Sequence, residues 1–250
     1  MNTVIINNLS IGYRAKVIGS NLNGKLQSGQ LTCLLGTNGV GKSTLLRTMA
    51  GLQPALRGGV VYQNDAAETK AVSELSKGEV ARLVAVVLTE LPDVRQLSVS
   101  EVVGMGRLPY TGFFGMLSHD DRQIVNSSLA QVGIRAFAQR QFDALSDGER
   151  QKVMIAKALA QQTPVILLDE PTAFLDYPSK VEVMKALRHM ANDMNKTILL
   201  STHDLNLALH YADRLLMLKQ GLREITKEEL RAYLQNLTSR KPDSNSRLEG

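Results

Sequence analysis

Eight consecutive residues, Gly36-Thr37-Asn38-Gly39-Val40-Gly41-Lys42-Ser43, constrain this chain more than any other stretch. They fit the pattern G-x-x-x-x-G-K-[ST] at every fixed position. That pattern requires a strand before it and a helix after it. Leu31–Leu35 is an apolar run that reads as a buried strand, and Ser43-Thr44-Leu45-Leu46-Arg47-Thr48-Met49-Ala50 reads as a helix, so the context is present. Glycines let such a loop wrap closely, because their φ is unrestricted and no Cβ intrudes. Backbone N–H groups and the positive end of the new helix then bind negative charge. Lys42 is placed to reach the β- and γ-phosphates of a nucleotide, and the Ser43 hydroxyl to ligate Mg2+.

Bulk properties narrow the setting. Apolar residues make up 44% and charged residues 21% of the 250, which suits a globular protein and excludes a disordered or fibrous one. Apolar runs such as Leu83–Leu88 and Val165–Leu168 fall far short of the ~20 residues a membrane span needs. Met1-Asn2-Thr3-Val4 has neither the basic start nor the apolar core of an export signal, so a cytosolic protein is expected. The single cysteine, Cys33, excludes an intrachain disulfide and reads as a small buried residue of the strand before the loop. The net charge of +5 is spread along the chain, with only a loose group at Arg240, Lys241 and Arg247. It reads as a solvated surface and not as a nucleic-acid tract.

Along the chain, Val4-Ile5-Ile6 and Leu9-Ser10-Ile11 read as short β runs broken by turn residues, and Gly58-Gly59-Val60-Val61-Tyr62 as a turn into a strand. Leu83–Leu88 reads as a buried strand. Residues 95–145 turn helical: Val99–Met105 is a short amphipathic segment ended by Gly106 and Pro109, and Asp120–Val132 carries apolar residues at helical spacing. Helix and strand then alternate: helix 149–161, strand 165–168, helix 178–194, strand 197–201, helix 204–211, strand 214–218. That alternation implies an α/β protein with a parallel sheet covered on both faces. Ser239–Gly250 is polar and aperiodic, and a disordered tail is expected there.

Three further stretches carry chemistry. Val165-Ile166-Leu167-Leu168-Asp169-Glu170 is an apolar strand ending in two acids, and the carboxyl ends of parallel strands open onto the ligand crevice. Asp169 is placed to hold Mg2+ through its water shell, and Glu170 to orient or deprotonate an attacking water. In Leu145-Ser146-Asp147-Gly148-Glu149-Arg150-Gln151, Ser146 and Glu149 form a capping box for a helix. The same serine, Gly148 and the free N–H groups also make a second anion site. Leu200-Ser201-Thr202-His203-Asp204 is another strand end, with His203 within reach of a γ-phosphate.

These elements in this order resemble the ATP-binding subunit of an ABC transporter, over residues 1 to about 225. The resemblance implies a P-loop NTPase fold: a RecA-like core, an N-terminal antiparallel β subdomain and an α-helical insert. Residues 1–238 would be one domain. Its parts are 1–90 (β subdomain and phosphate-loop part of the core), 91–150 (helical, with the signature), 151–225 (the rest of the core) and 226–238 (a C-terminal helix), before the tail 239–250. Tyr13 would stack on adenine, and Gly36, Thr37, Asn38, Gly39, Val40, Gly41, Lys42, Ser43 and Thr44 would bind ATP. Lys42, Glu170 and His203 are then catalytic, Ser43 and Asp169 hold the metal, and Ala173-Phe174-Leu175-Asp176 is the D-loop. Ser146, Asp147, Gly148 and Glu149 stand for the LSGGQ-type signature, which closes over the ATP of a second copy in a head-to-tail homodimer. The implied partners are that second copy, an integral membrane permease and, indirectly, a periplasmic substrate-binding protein. The implied location is peripheral, on the cytoplasmic face of the inner (plasma) membrane, with no nucleic acid bound.

The chain departs from the family pattern in places. Asp147 and Glu149 stand where Gly and Gln are commonest, and an acid beside a γ-phosphate must point away, toward solvent or the subunit interface. Glu90 stands where the loop after strand 83–88 usually has Gln, and it could still ligate Mg2+ or hydrogen-bond the attacking water. The end after Gly221 is short. Gly106-Arg107-Leu108-Pro109 resembles the G-R-x-P segment of subunits serving importers of iron–siderophore complexes, haem or cobalamin, and the following Phe113-Phe114-Gly115 would expose aromatics to the membrane partner. Three other readings compete: an ABC transporter ATPase serving another substrate, an ABC ATPase acting on DNA or ribosomes, and a non-hydrolysing scaffold. The second lacks long heptads or a second cassette; the third is opposed by the retained hydrolytic residues.

Overall fold

The computed structural model describes residues 3–14, 16–64, 66–90, 94–112 and 114–239. Phe113 and the tail 240–250 lie outside the described residues. Strands β1 (Thr3–Tyr13) and β2 (Lys16–Gln27) form an antiparallel hairpin, followed by β3 (Gln30–Leu35), α1 (Lys42–Met49), β4 (Arg57–Gln63) and β5 (Thr69–Ala71). Next come α2 (Lys77–Leu83) and β6 (Val84–Val87), then the helices α3 (Val99–Gly104), α4 (His119–Gln131) and α5 (Asp147–Ala160). The chain closes with β7 (Val165–Asp169), α6 (Tyr177–Asn192), β8 (Thr197–Ser201), α7 (Leu205–Tyr211), β9 (Arg214–Leu218), β10 (Leu222–Ile225) and α8 (Lys227–Ser239).

Two sheets result. One is antiparallel with order β2-β1-β4-β5; the other has order β10-β9-β3-β8-β7-β6 and is parallel except for its edge strand β10. Every residue of β7 and β8 is buried, as the uninterrupted apolar runs require of central parallel strands. Side-chain alternation divides the core into two layers. Cys33, Leu35, Ile166, Leu168, Ile198 and Leu200 face the helices α3 to α7, whereas Leu34, Leu167, Leu199 and Leu216 face α1 and the antiparallel sheet. The parallel sheet is therefore covered on both faces, one cover being largely a second sheet.

Three local readings need correction. The runs at Val4 and Leu9 belong to one strand, β1, whose register shifts near Asn8 (φ 43°) take up the turn residues. The edge strand β2, Lys-Val-Ile-Gly-Ser-Asn-Leu-Asn-Gly-Lys-Leu-Gln, has no counterpart in the sequence reading. Few of its side chains are buried, and pairing with β1 holds it. Gly106 and Pro109 do not stop the chain's helical course: a tight 3-10 turn, Met105–Tyr110, runs straight on from α3 through both. Among the described residues no helix is long and apolar enough to cross a membrane.

Candidate active site

Strands β3, β8 and β7 are neighbours, and their carboxyl ends converge. The phosphate loop leaves β3 at Leu35 and enters α1 through Gly41. At φ 107° Gly41 lies in the left-handed region, and a Cβ there would stand 2.7 Å from Cγ2 of Ile18, so only glycine fits. No side chain caps α1 and no acid sits in its first turn, which leaves its N–H groups and positive end to an anion. Lys42, only 5% exposed, donates to Gly36 O (2.9 Å) and Thr37 O (3.3 Å), so the ammonium lies across the loop. Ser43 is exposed at the helix start. Thr44 Oγ1 donates to the Tyr13 hydroxyl at 3.4 Å, which brings the half-exposed Tyr13 ring beside the loop.

At the end of β7, Asp169 is buried and its Oδ1 accepts from Ser201 Oγ at 2.7 Å. Glu170, in a left-handed conformation (φ 49°), donates its N–H to the same Ser201 Oγ at 2.9 Å. Its carboxylate stands between two bases: Oε1 is 3.8 Å from Lys42 Nζ, and Oε2 is 3.2 Å from His203 Nδ1. Thr89 Oγ1 donates to Asp169 O at 2.9 Å and so ties the loop after β6 to this corner. Glu90 follows Thr89 and is exposed. The structure thus brings together Lys42, Asp169, Glu170 and His203.

Ser201 was missed by the sequence reading. It faces Asp169 in the β7–β8 register, and register between distant strands leaves no local mark.

The donor set suits Mg2+. That ion takes one or two side-chain oxygens and draws the rest from substrate phosphates and water. Ser43 and Asp169 supply such oxygens. Among the described residues no cluster of three or more acidic, His or Cys side chains offers an all-protein cage.

A second face is formed by the start of α5. Ser146 caps it: its N–H and Oγ donate to Glu149 Oε2 (2.8 and 2.9 Å), and Oγ accepts from Glu149 N. The Ser146 N–H bond, then the hydroxyl, holds the Glu149 carboxyl below the usual range. Asp147 is 67% exposed and reaches back to Arg150 at 3.7 Å, so the acid does point outward. Gly148 packs beneath the D-loop, where a Cβ would stand 3.3 Å from Leu175. Asp176 caps α6 by accepting from Ser179 N (3.2 Å). A cleft of about 220 Å³ lies between the two faces, lined by Thr89, Asp147, Arg150, Gln151, Glu170 and Phe174.

Residues 20–173 match the family model described as ABC transporter. The chain belongs to that family. Among its relatives are the achromobactin transport ATP-binding protein of Dickeya dadantii and the iron(3+)-hydroxamate import ATP-binding protein of Bacillus subtilis. The first is 40% identical over 86% of this chain and 78% of its own length; the second is 39% identical over 88% and 80%. A solved ATP-binding cassette, dimeric with ADP and Pi in a post-hydrolysis state, superposes with a TM-score of 0.77 at 26% identity, over 90% of this chain and 98% of its own. The chain is an ATPase of this transporter family, with the RecA-like core, antiparallel β subdomain and helical insert that the resemblance implied.

Proposed function

We propose that the chain hydrolyses ATP to power uptake of an iron complex, a siderophore first and haem or cobalamin as related cargo, through a separate permease. The hydrolytic role is carried by one observation, the Glu170 carboxylate held between Lys42 Nζ and His203 Nδ1 at the mouth of the phosphate loop. The cargo class is supported by the names of the relatives and by the Gly106-Arg107-Leu108-Pro109 segment.

Each residue's part follows from its position. Loop amides and Lys42 neutralise and orient the triphosphate. Glu170 orients the attacking water and receives its proton, while His203, bonded to that carboxylate, faces the γ-phosphate. Mg2+, held by Ser43 and Asp169 with Glu90 as a further candidate ligand, would supply charge neutralisation of the phosphates. Tyr13 stacks on the base. Two copies pair head to tail, so that Ser146 and Gly148 of each cap the nucleotide of the other. ATP joins the halves and hydrolysis releases them. The exposed Leu108, Tyr110, Phe114 and Met116 on the insert are the surface for the permease, at the cytoplasmic face of the membrane, with a periplasmic binding protein delivering cargo from the far side.

The test is Glu170→Gln. Phosphate release should fall by about 10²–10⁴-fold while ATP now holds the chain as a stable dimer. Normal turnover would remove Glu170 from its role. Strains lacking the chain should lose uptake of radiolabelled ferric siderophore, and unimpaired uptake would refute the cargo.

A further inference from the structure

The turn Met105–Tyr110 takes no part in the site above, yet it is built as a joint. Arg107 is 6% exposed and distributes its guanidinium over separate elements. Its Nε donates to Asp121 Oδ1 in α4 at 2.8 Å, and Nη1 donates to Ala160 O, the end of α5, at 2.8 Å and to Gln162 Oε1 at 3.0 Å. The guanidinium lies over the Tyr110 ring, 4.2 Å from its centroid. Gly106 lets the turn's backbone meet α5: a Cβ there would stand 2.4 Å from Lys157 O. The core is tied to the same point. Tyr110 Oη donates to Gln161 O at 2.9 Å, the Gln161 amide donates to Ala81 O (2.6 Å) and Val84 O (3.0 Å), and Arg82 Nε donates to Pro109 O at 3.1 Å. One turn thus fastens α4, the C-terminal end of α5 and the α2–β6 edge of the core. A guanidinium suits this place, because it meets the negative end of a helix and bonds several acceptors in fixed directions.

We infer that Arg107 is a positioning residue that sets the direction of α5 against the core and thereby aims Ser146, at the opposite end of that helix, at the nucleotide of the second copy. The inference rests on the two-copy reading above. With 14 residues, α5 is a rod about 21 Å long at 1.5 Å per residue. A tilt of about 5° at the Arg107 end would move Ser146 by roughly 2 Å over that length. A hydroxyl–phosphate hydrogen bond does not survive such a displacement. A lysine at this position keeps the ion pair with Asp121 but cannot also fork to Ala160 and Gln162 while stacking on Tyr110.

The experiment uses the full chain carrying Glu170→Gln. Two quantities are measured: affinity of the dilute monomer for a fluorescent ATP analogue, and ATP-driven dimerisation by analytical ultracentrifugation. Arg107→Lys should leave nucleotide affinity within about twofold and weaken dimerisation by about tenfold or more, as a misplaced contact does. Val125→Ala, which loosens the insert's core one helical turn from Asp121 but removes none of the hydrogen bonds of Arg107, is the stability control and should dimerise within about twofold of the parent at a comparable loss of Tm. Gln162→Ala, at an exposed position, removes one acceptor without threatening the fold and should weaken dimerisation about threefold. Parental dimerisation in Arg107→Lys overturns the inference, as does an equal loss in Val125→Ala. Should Arg107→Lys not fold, parental dimerisation in Gln162→Ala overturns it. Failure of the Glu170→Gln parent itself to dimerise with ATP instead defeats the two-copy reading, and the inference with it.

Discussion

Ser201→Ala is the sharpest probe of the corner proposed to carry hydrolysis, because one oxygen atom holds two acids in place. The residue is fully buried at the end of β8, donates to Asp169 Oδ1 at 2.7 Å and accepts from Glu170 N at 2.9 Å. Alanine preserves the strand and opens a space of only one atom, so the effect reports on the two bonds. A hydrogen bond to a carboxylate contributes about 1.5–3 kcal/mol, and an amide left unpaired costs about 1 kcal/mol more. The sum is a loss of about 2.5–4 kcal/mol, which for a chain of this size lowers Tm by about 5–16 °C. Without the bond to its amide, Glu170 no longer holds its carboxylate steadily between Lys42 and His203. The kcat for ATP should fall by about 10–100-fold. KM should stay within about twofold, since residues 36–43 are untouched. Steady-state phosphate release and thermal denaturation measure both effects. Turnover within twofold of the parent, at an unchanged Tm, would refute the claim that Ser201 orients the acids.

Two other perturbations address the insert. Gly106→Ala should lower stability by about 1–3 kcal/mol, read by calorimetry, since its Cβ would stand 2.4 Å from a backbone oxygen that cannot swing aside. An unchanged Tm would mean the turn does not press on α5. The Asp121 carboxyl is lowered from 3.8 to about 2, first by the hydrogen bond from Arg107 and then by Ser118. Because the folded value lies below the unfolded one, its stabilisation is present above pH ~4 and drains as pH falls toward ~2. The urea-midpoint gap between the parent and Asp121→Asn should therefore be widest near neutrality and shrink across that window; a gap constant from pH 6 to 2.5 would count against the pairing.

What could be read from the sequence was chemistry confined to short segments. The loop Gly36–Ser43, the acids Asp169 and Glu170 at the end of β7 and the capping box at Ser146 are each complete within eight residues or fewer, and all three stand where those segments predict them. The helices α4 to α7 were legible within a few residues because buried side chains recur at helical spacing. By contrast, β2 carries Asn and Gly on an edge strand and so lacks an apolar pattern. Gly106 and Pro109 are ordinary helix-stop signals, and only their neighbours turn them into a joint: Gly106 admits the backbone of α5, and Pro109 O accepts from Arg82.

The sequence by itself determined that a glycine-rich loop joins a buried strand to a helix whose first N–H groups are left to an anion, and that acids end a second buried strand. Those properties depend on residues adjacent along the chain. Only the tertiary structure decided which distant groups meet: Lys42 with Glu170, Glu170 with His203, Ser201 with both acids, and Arg107 with the far end of α5. Each of these contacts depends on strand order, register or helix packing. The free energies that select them are summed over the whole core and are written in no single segment.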